Sequence, residues 1–293
     1  MSVFNAKNKK HHTKHFMFLD PNGGPNLQRF DVVKYKQFEK LTEKQLGFFW
    51  RPEEVDVSKD KKDFDQLTDH EKHIFTSNLK RQILLDSVQG RAPNMAFLPI
   101  ASLPEVENWI ETWSFFETIH SRSYTHIIRN IYPDPSVVFD GMLETKEILE
   151  CGNDIARYYD DLIDANAGPT NKMDHKRALW MCMLSANALE GIRFCVSFAY
   201  SWAFAELKRM EGNAKIIKFI ARDENTHLAA TTTILKNMLK EDPDFVKIKK
   251  EMEPQAIELF TRVIEQEKEW AHYLFKDGSM IGLNEQLLGD YIE

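Results

Sequence analysis

The sequence predicts an all-α fold, and three observations carry that reading. Residues 106–131 and 213–238 each repeat apolar side chains at alternating steps of four and three, the period of one helix face. Twelve glycines and eleven prolines in 293 residues are few for the tight turns of a β-sandwich. No strict alternation flanked by hairpin residues competes with the helical pattern. With 43% hydrophobic residues the chain buries a large core, and the long helices predict one domain, residues 31–293, after an N-terminal arm, residues 1–30.

In order along the chain, the basic run Lys9 to His15 reads as a solvated part of that arm, its three histidines held in no fixed geometry. Residues 22–31 are loop-like, and 32–49 mix short apolar groups with lysines before the aromatic cluster Phe48, Phe49, Trp50. Thr68 and Glu71 form a capping box that opens a helix to about Gln89. On it Phe75, Leu79, Ile83 and Asp86 share a face, so a carboxylate sits where an apolar group belongs and needs a partner. Ser102 and Glu105 suggest a second box and a helix that Pro133 stops. Its inward ladder is Val106, Ile110, Trp113, Glu117, His120, Tyr124, Ile127, Ile131, with three consecutive polar members.

A further helix is expected over 137–163, then a linker with Gly168 and Pro169. The next helix, Lys176 to about Met210, is apolar all round except for Glu190 and its neighbours. After Gly212 comes the ladder Asn213, Ile217, Ile220, Glu224, His227, Thr231, Ile234, Met238, which repeats the E-x-x-H spacing and ends at Pro243. Amphipathic helices follow from Pro254 to Phe275 and from Asn284 onward.

Composition removes several functions. A net charge of −7 without a long basic tract offers no footprint for nucleic acid. Cys151, Cys182 and Cys195 show no disulfide framework and no C-x-x-C pair, as in a reduced, cytoplasmic protein. The apolar run 178–205 is broken by Asn187, Glu190 and Arg193, residues costly in lipid, so a buried helix and no membrane span is expected.

Residues three apart on a helix place their Cβ atoms about 5–6 Å from each other on one face. Glu117 with His120, and Glu224 with His227, therefore each offer an oxygen and a nitrogen to one ion. Asp86 and Glu190, from two more helices, bring the set to four carboxylates and two imidazoles, whose charge two divalent cations neutralise. This matches the ferritin-like di-iron template: one carboxylate from each of two helices and Glu-x-x-His from each of two others. Mixed oxygen and nitrogen donors suit iron or manganese. A purely structural bundle would instead pair these acids with Arg122, Arg193 and Arg222. Tyr124, four residues after His120, projects from the same face within reach of a metal-centred oxidant, and Phe194, Phe198 and Ile220 lie one turn from Glu190 or Glu224 to wrap it.

Five stretches carry a resemblance: F-F-W-R-P-E-E-V-D from Phe48, L-L-D-S-V-Q-G-R-A-P-N from Leu84, E-T-I-H-S-R-S-Y-T-H-I-I-R-N-I from Glu117, N-A-L-E-G-I-R-F from Asn187 and G-N-A-K-I-I-K-F-I-A-R-D-E-N-T-H from Gly212. They closely resemble the small (beta) subunit of class Ia ribonucleotide reductase, from about Phe30 onward. The resemblance implies Asp86, Glu117, His120, Glu190, Glu224 and His227 as ligands of two iron ions per chain, oxo-bridged when oxidised, with Glu117 and Glu224 able to bridge. Manganese is the alternative metal. It implies Tyr124 as the radical site and Trp50 as an electron relay through Asp223 to His120. It further implies a homodimer that works with a large (alpha) subunit, the partner in which ribonucleoside diphosphates become deoxyribonucleotides.

Relatives continue past the position of Glu293 into a tail with a relay tyrosine and the peptide that docks on the large subunit. The expectation is a C-terminally truncated chain that assembles its cofactor but turns over poorly alone. Two other readings accompany it: a non-catalytic or assembly-only small subunit, and a di-iron oxygenase or desaturase. Tyr124 and the aspartate ligand Asp86 argue against the last.

Overall fold

The computed structural model describes Phe4, Ala6 and residues 8–280 and 282–293; the side chain of Cys195 lies outside the described set. The described residues form thirteen α-helices and no strand beyond two isolated bridges. Four segments build the centre. They are α3 (Asp69–Gln89), α5 (Pro104–Ile131), the apolar segment α8 (Lys172–Ala188) with α9 (Cys195–Glu206), and α10 (Glu211–Glu241). Around them lie α1 (Lys36–Gly47), α2 (Ser58–Asp65), α4 (Ala92–Ala96), α6 (Ser136–Asp140), α7 (Lys146–Ala167), α11 (Pro243–Glu251), α12 (Glu253–Phe275) and α13 (Glu285–Ile292).

The first capping box forms as the sequence predicts. The Thr68 hydroxyl accepts from Glu71 N at 3.2 Å, and Thr68 N donates to Glu71 Oε2 at 2.8 Å. The second does not. α5 begins with Pro104 at its first position, where a missing N–H costs nothing. Ser102 and Glu105 are thereby free for other work. Glu105 Oε1 accepts from Lys34 N and Tyr35 N at 2.9 and 3.0 Å, and Ser102 Oγ accepts from Asp20 N at 3.2 Å.

Those bonds reflect a second correction. The run Lys9 to His15, expected to be solvated, is anchored: His12 and His15 are buried, His15 Nδ1 lies 3.1 Å from the Ser102 carbonyl, and Met17 and Phe18 just beyond it are buried too. Burial of two large apolar side chains outweighs the polar composition around them. The helix expected over 137–163 is split into α6, a short turn at Met142–Glu144 and α7, because Thr145 is extended (φ −88°, ψ 116°).

The long apolar helix is split too. It starts earlier, capped by Asn171, whose side chain accepts from Met173 N and Asp174 N at 3.0 Å. It is then interrupted by a π-turn at Leu189–Arg193. The run Lys172–Glu206, mean hydropathy 1.2 in its most apolar window, is 76% buried there inside the protein. Gly212 falls inside the first turn of α10, where a Cβ would meet Asp56 O at 2.7 Å, so only glycine allows this approach.

Candidate metal centre

Each of the four central segments delivers polar side chains to one point. α3 brings Asp86, α5 brings Glu117 and His120, the π-turn brings Glu190, and α10 brings Glu224 and His227. All six are 0–5% exposed. Their donor atoms fall into two sets, each within 4.8 Å: Asp86, Glu117, His120 and Glu224, then Glu117, Glu190, Glu224 and His227. Glu117 and Glu224 belong to both. Two neighbouring donor sets that share two carboxylates follow from that overlap.

Both imidazoles turn Nδ1 inward. His120 Nδ1 lies 3.2 Å from Glu117 Oε2 and 3.1 Å from Glu224 Oε1. His227 Nδ1 lies 2.7 Å from Glu224 Oε2, 3.1 Å from Glu117 Oε1 and 3.7 Å from Glu190 Oε2. Burial, then the neighbouring carboxylates, raises the pKa of Asp86 and of Glu190. Burial also opposes charge on Glu224, but the two imidazoles outweigh it and lower its pKa, while theirs rise well above the usual value. The protein alone thus holds protons where cations would remove the need for them.

Unpartnered atoms test whether metal fits. Both oxygens of Asp86 and Glu190 Oε2 are buried without a well-aligned hydrogen bond, and Glu224 Oε1 has only the poorly aligned His120 Nδ1 at 3.1 Å. Such orphans are rare in folded proteins, and lone pairs converging on shared points are what hard or borderline cations take. The arginines of the purely structural alternative are elsewhere. Arg122 pairs with Glu53 at 3.7 Å, Arg193 with Asp154 at 2.7 Å, and Arg222 with Asp223 at 3.2 Å. The residues present therefore fit a pair of iron or manganese ions.

Donors behind the ligands complete the centre. Trp113 Nε1 donates to Glu117 Oε1 at 3.0 Å, and Gln89 Nε2 donates to Glu190 Oε1 at 2.6 Å. Sequence reasoning passed over both as donors, although Gln89 is three residues from Asp86 and hence on its face. Trp50 Nε1 donates to Asp223 Oδ2 at 2.8 Å, and the same oxygen lies 3.3 Å from His120 Nε2. With a cation bound, a neutral His120 donating from Nε2 would keep its Nδ1 lone pair for it.

The sequence matches the family described as Ribonucleotide reductase, small chain, over residues 29–293. The chain belongs to this family. It is 55% identical to ribonucleoside-diphosphate reductase subunit beta of Haemophilus influenzae, over 98% of this chain and 81% of that one. The subunit beta of Enterobacteria phage T4 is 42% identical over 92% of this chain and 76% of its own length. Among solved structures, the ribonucleotide reductase R2 subunit from Clostridium botulinum superposes with a TM-score of 0.88 at 27% identity, covering 100% of this chain and 88% of that one. As a ribonucleotide reductase small chain it has the ferritin-like all-α architecture expected of it.

Within this small chain, Tyr124 is fully buried beside the first donor set, its hydroxyl facing the Asp86 carboxylate. Burial first, and then the Asp86 charge, raise its pKa well above that of an ordinary phenol. Ile220 lies in the same apolar cluster, and Phe198 packs on that cluster's margin. Phe194 belongs to the neighbouring cluster and stacks on Phe198 at 5.2 Å. Phe194 and Phe198 also line a cavity of about 540 Å³ that reaches Glu190 and Glu224.

Proposed function

We propose that this chain is the radical-generating small subunit of a class I ribonucleotide reductase, with Asp86, Glu117, His120, Glu190, Glu224 and His227 holding two iron ions and Tyr124 becoming the radical. The observation that carries it is a buried phenol whose hydroxyl faces the Asp86 carboxylate of a six-residue donor cluster. Bound there, two iron ions supply, with dioxygen, the oxidising power for a phenol. Tyr124 gives up one electron, and the Asp86 carboxylate, whose charge acts on the hydroxyl, is placed to take its proton. Ile220 and the rim of Phe198 keep water from the ring, as a persistent radical requires.

Trp50, through Asp223, supplies a further electron on the His120 side. Its indole proton has the Asp223 carboxylate to go to. The radical then serves a large subunit, which reduces ribonucleoside diphosphates, and the small subunit acts as a cytoplasmic homodimer. The shared and unshared ligands give the test. Elemental analysis of the iron-loaded chain should find two ions. Asp86→Ala should retain about one, and Glu117→Ala, which removes a shared carboxylate, neither. Equal losses from both variants would refute the two-position arrangement.

A further inference from the structure

Glu190 is the ligand with the least secure footing. It stands on a π-turn, where one extra residue re-aims the side chain, and it borders the 540 Å³ cavity. What holds its Oε1 is a hydrogen bond from Gln89 Nε2. A carboxylate accepts only, so Gln89 must present its NH2 end, yet a primary amide fits the same space in either orientation. The orientation has a visible cause. Tyr159, 2% exposed, donates its hydroxyl to Gln89 Oε1 at 2.8 Å. Its ring meets Phe97 edge-on at 5.8 Å, and Phe97 also stacks on Trp113 at 6.3 Å. One phenylalanine thereby braces the supports of both Glu190 and Glu117.

We propose that Tyr159 is a positioning residue for the metal centre: it locks the Gln89 amide so that Glu190 is held by Oε1 and leaves Oε2 free for the ion. The inference rests on the dimetal reading above. Glu190 belongs to only one of the two donor sets, so loss of this relay weakens one ion position and spares the other. A residue that merely stabilised the fold would affect both.

The experiment is anaerobic titration of manganese(II) into the apo chain, followed by calorimetry and by the paramagnetic resonance of free manganese. Wild type should bind two ions. Tyr159→Phe should weaken one of them by roughly ten- to hundred-fold, the usual range for residues behind metal ligands, with the other unchanged. Gln89→Met should do the same, and adding Tyr159→Phe to Gln89→Met should cause no further loss, because both act through one bond. Circular dichroism of each apo variant checks folding, and should Tyr159→Phe not fold, that result itself counts against a purely positioning role. Wild-type binding by Tyr159→Phe, equal weakening of both ions, or an additive double variant would overturn the proposal. Fewer than two ions in wild type would instead sink the dimetal reading.

Discussion

Asp223→Asn preserves shape and removes charge at the joint between Trp50 and the metal centre. Asp223 is fully buried; Oδ2 serves Trp50 Nε1 and His120 Nε2, and Oδ1 lies 3.2 Å from Arg222 Nη2. The asparagine oxygen stays toward Trp50 and His120, since Arg222 is the partner that can move its guanidinium to solvent. Hydrogen bonds to a charged group contribute about 1.5–3 kcal/mol and neutral ones about 0.5–1.5, so each of the two weakens by about 1–2 kcal/mol. At about 1.4 kcal/mol per tenfold, the His120 share lowers affinity roughly five- to thirty-fold at the Asp86 position. The Trp50 share acts on electron delivery, because an amide cannot accept the indole proton. Manganese(II) titration and freeze-quench resonance spectroscopy should show weaker binding of one ion and a Tyr124 radical whose yield recovers with an added small reductant. Wild-type affinity together with wild-type yield would refute the relay.

Glu267→Gln should lower the melting temperature by roughly 6–20 °C by calorimetry, since breaking a fully buried pair costs about 3–5 kcal/mol at about 2–4 °C each. Its partner Arg81 is 1% exposed and donates Nη1 to Glu267 Oε2 at 3.0 Å, and Arg81→Met in addition should restore part of the loss. Gly212→Ala should destabilise by about 1–3 kcal/mol in urea despite alanine's helix preference, because its Cβ meets the Asp56 carbonyl and Val57 Cγ1 at 2.7 and 2.9 Å. Burial, reinforced by Glu111 and partly offset by Gln28, pushes Glu107 up to about 7. The folded state then binds a proton that the unfolded chain releases near 4.5, so stability falls as pH rises from about 4.5 to 7. Glu107→Gln should flatten that slope in denaturant titrations across the window.

How much of this was legible in the sequence depended on whether a residue's role is local. Glu117, His120 and Tyr124, and likewise Glu224 and His227, lie on helices whose period of 3.6 assigns each position a face, so their convergence could be read before any coordinates. Glu190 was visible only as a polar residue in an apolar run; the π-turn under it leaves no periodic trace because every face there is apolar. The relay from Tyr159 through Gln89 joins residues 70 positions apart, a contact set by the packing of α7 against α3, and no local pattern announces it. The Ser102 and Glu105 motif was misread for the opposite reason. Its local chemistry suits a cap, but Pro104 starts the helix unaided and the two side chains bind the N-terminal segment instead. The basic composition of Lys9 to His15 also hid the burial of His12 and His15.

Oxidation of Tyr124 by a metal pair at the six-ligand cluster is tested most directly by electron paramagnetic resonance after ferrous iron and then dioxygen are added to the apo chain. Wild type should give a tyrosyl signal, and Tyr124→Phe none, with the same iron content in both. A tyrosyl signal that persists in Tyr124→Phe, or its absence from an iron-loaded wild type exposed to dioxygen, would contradict the account.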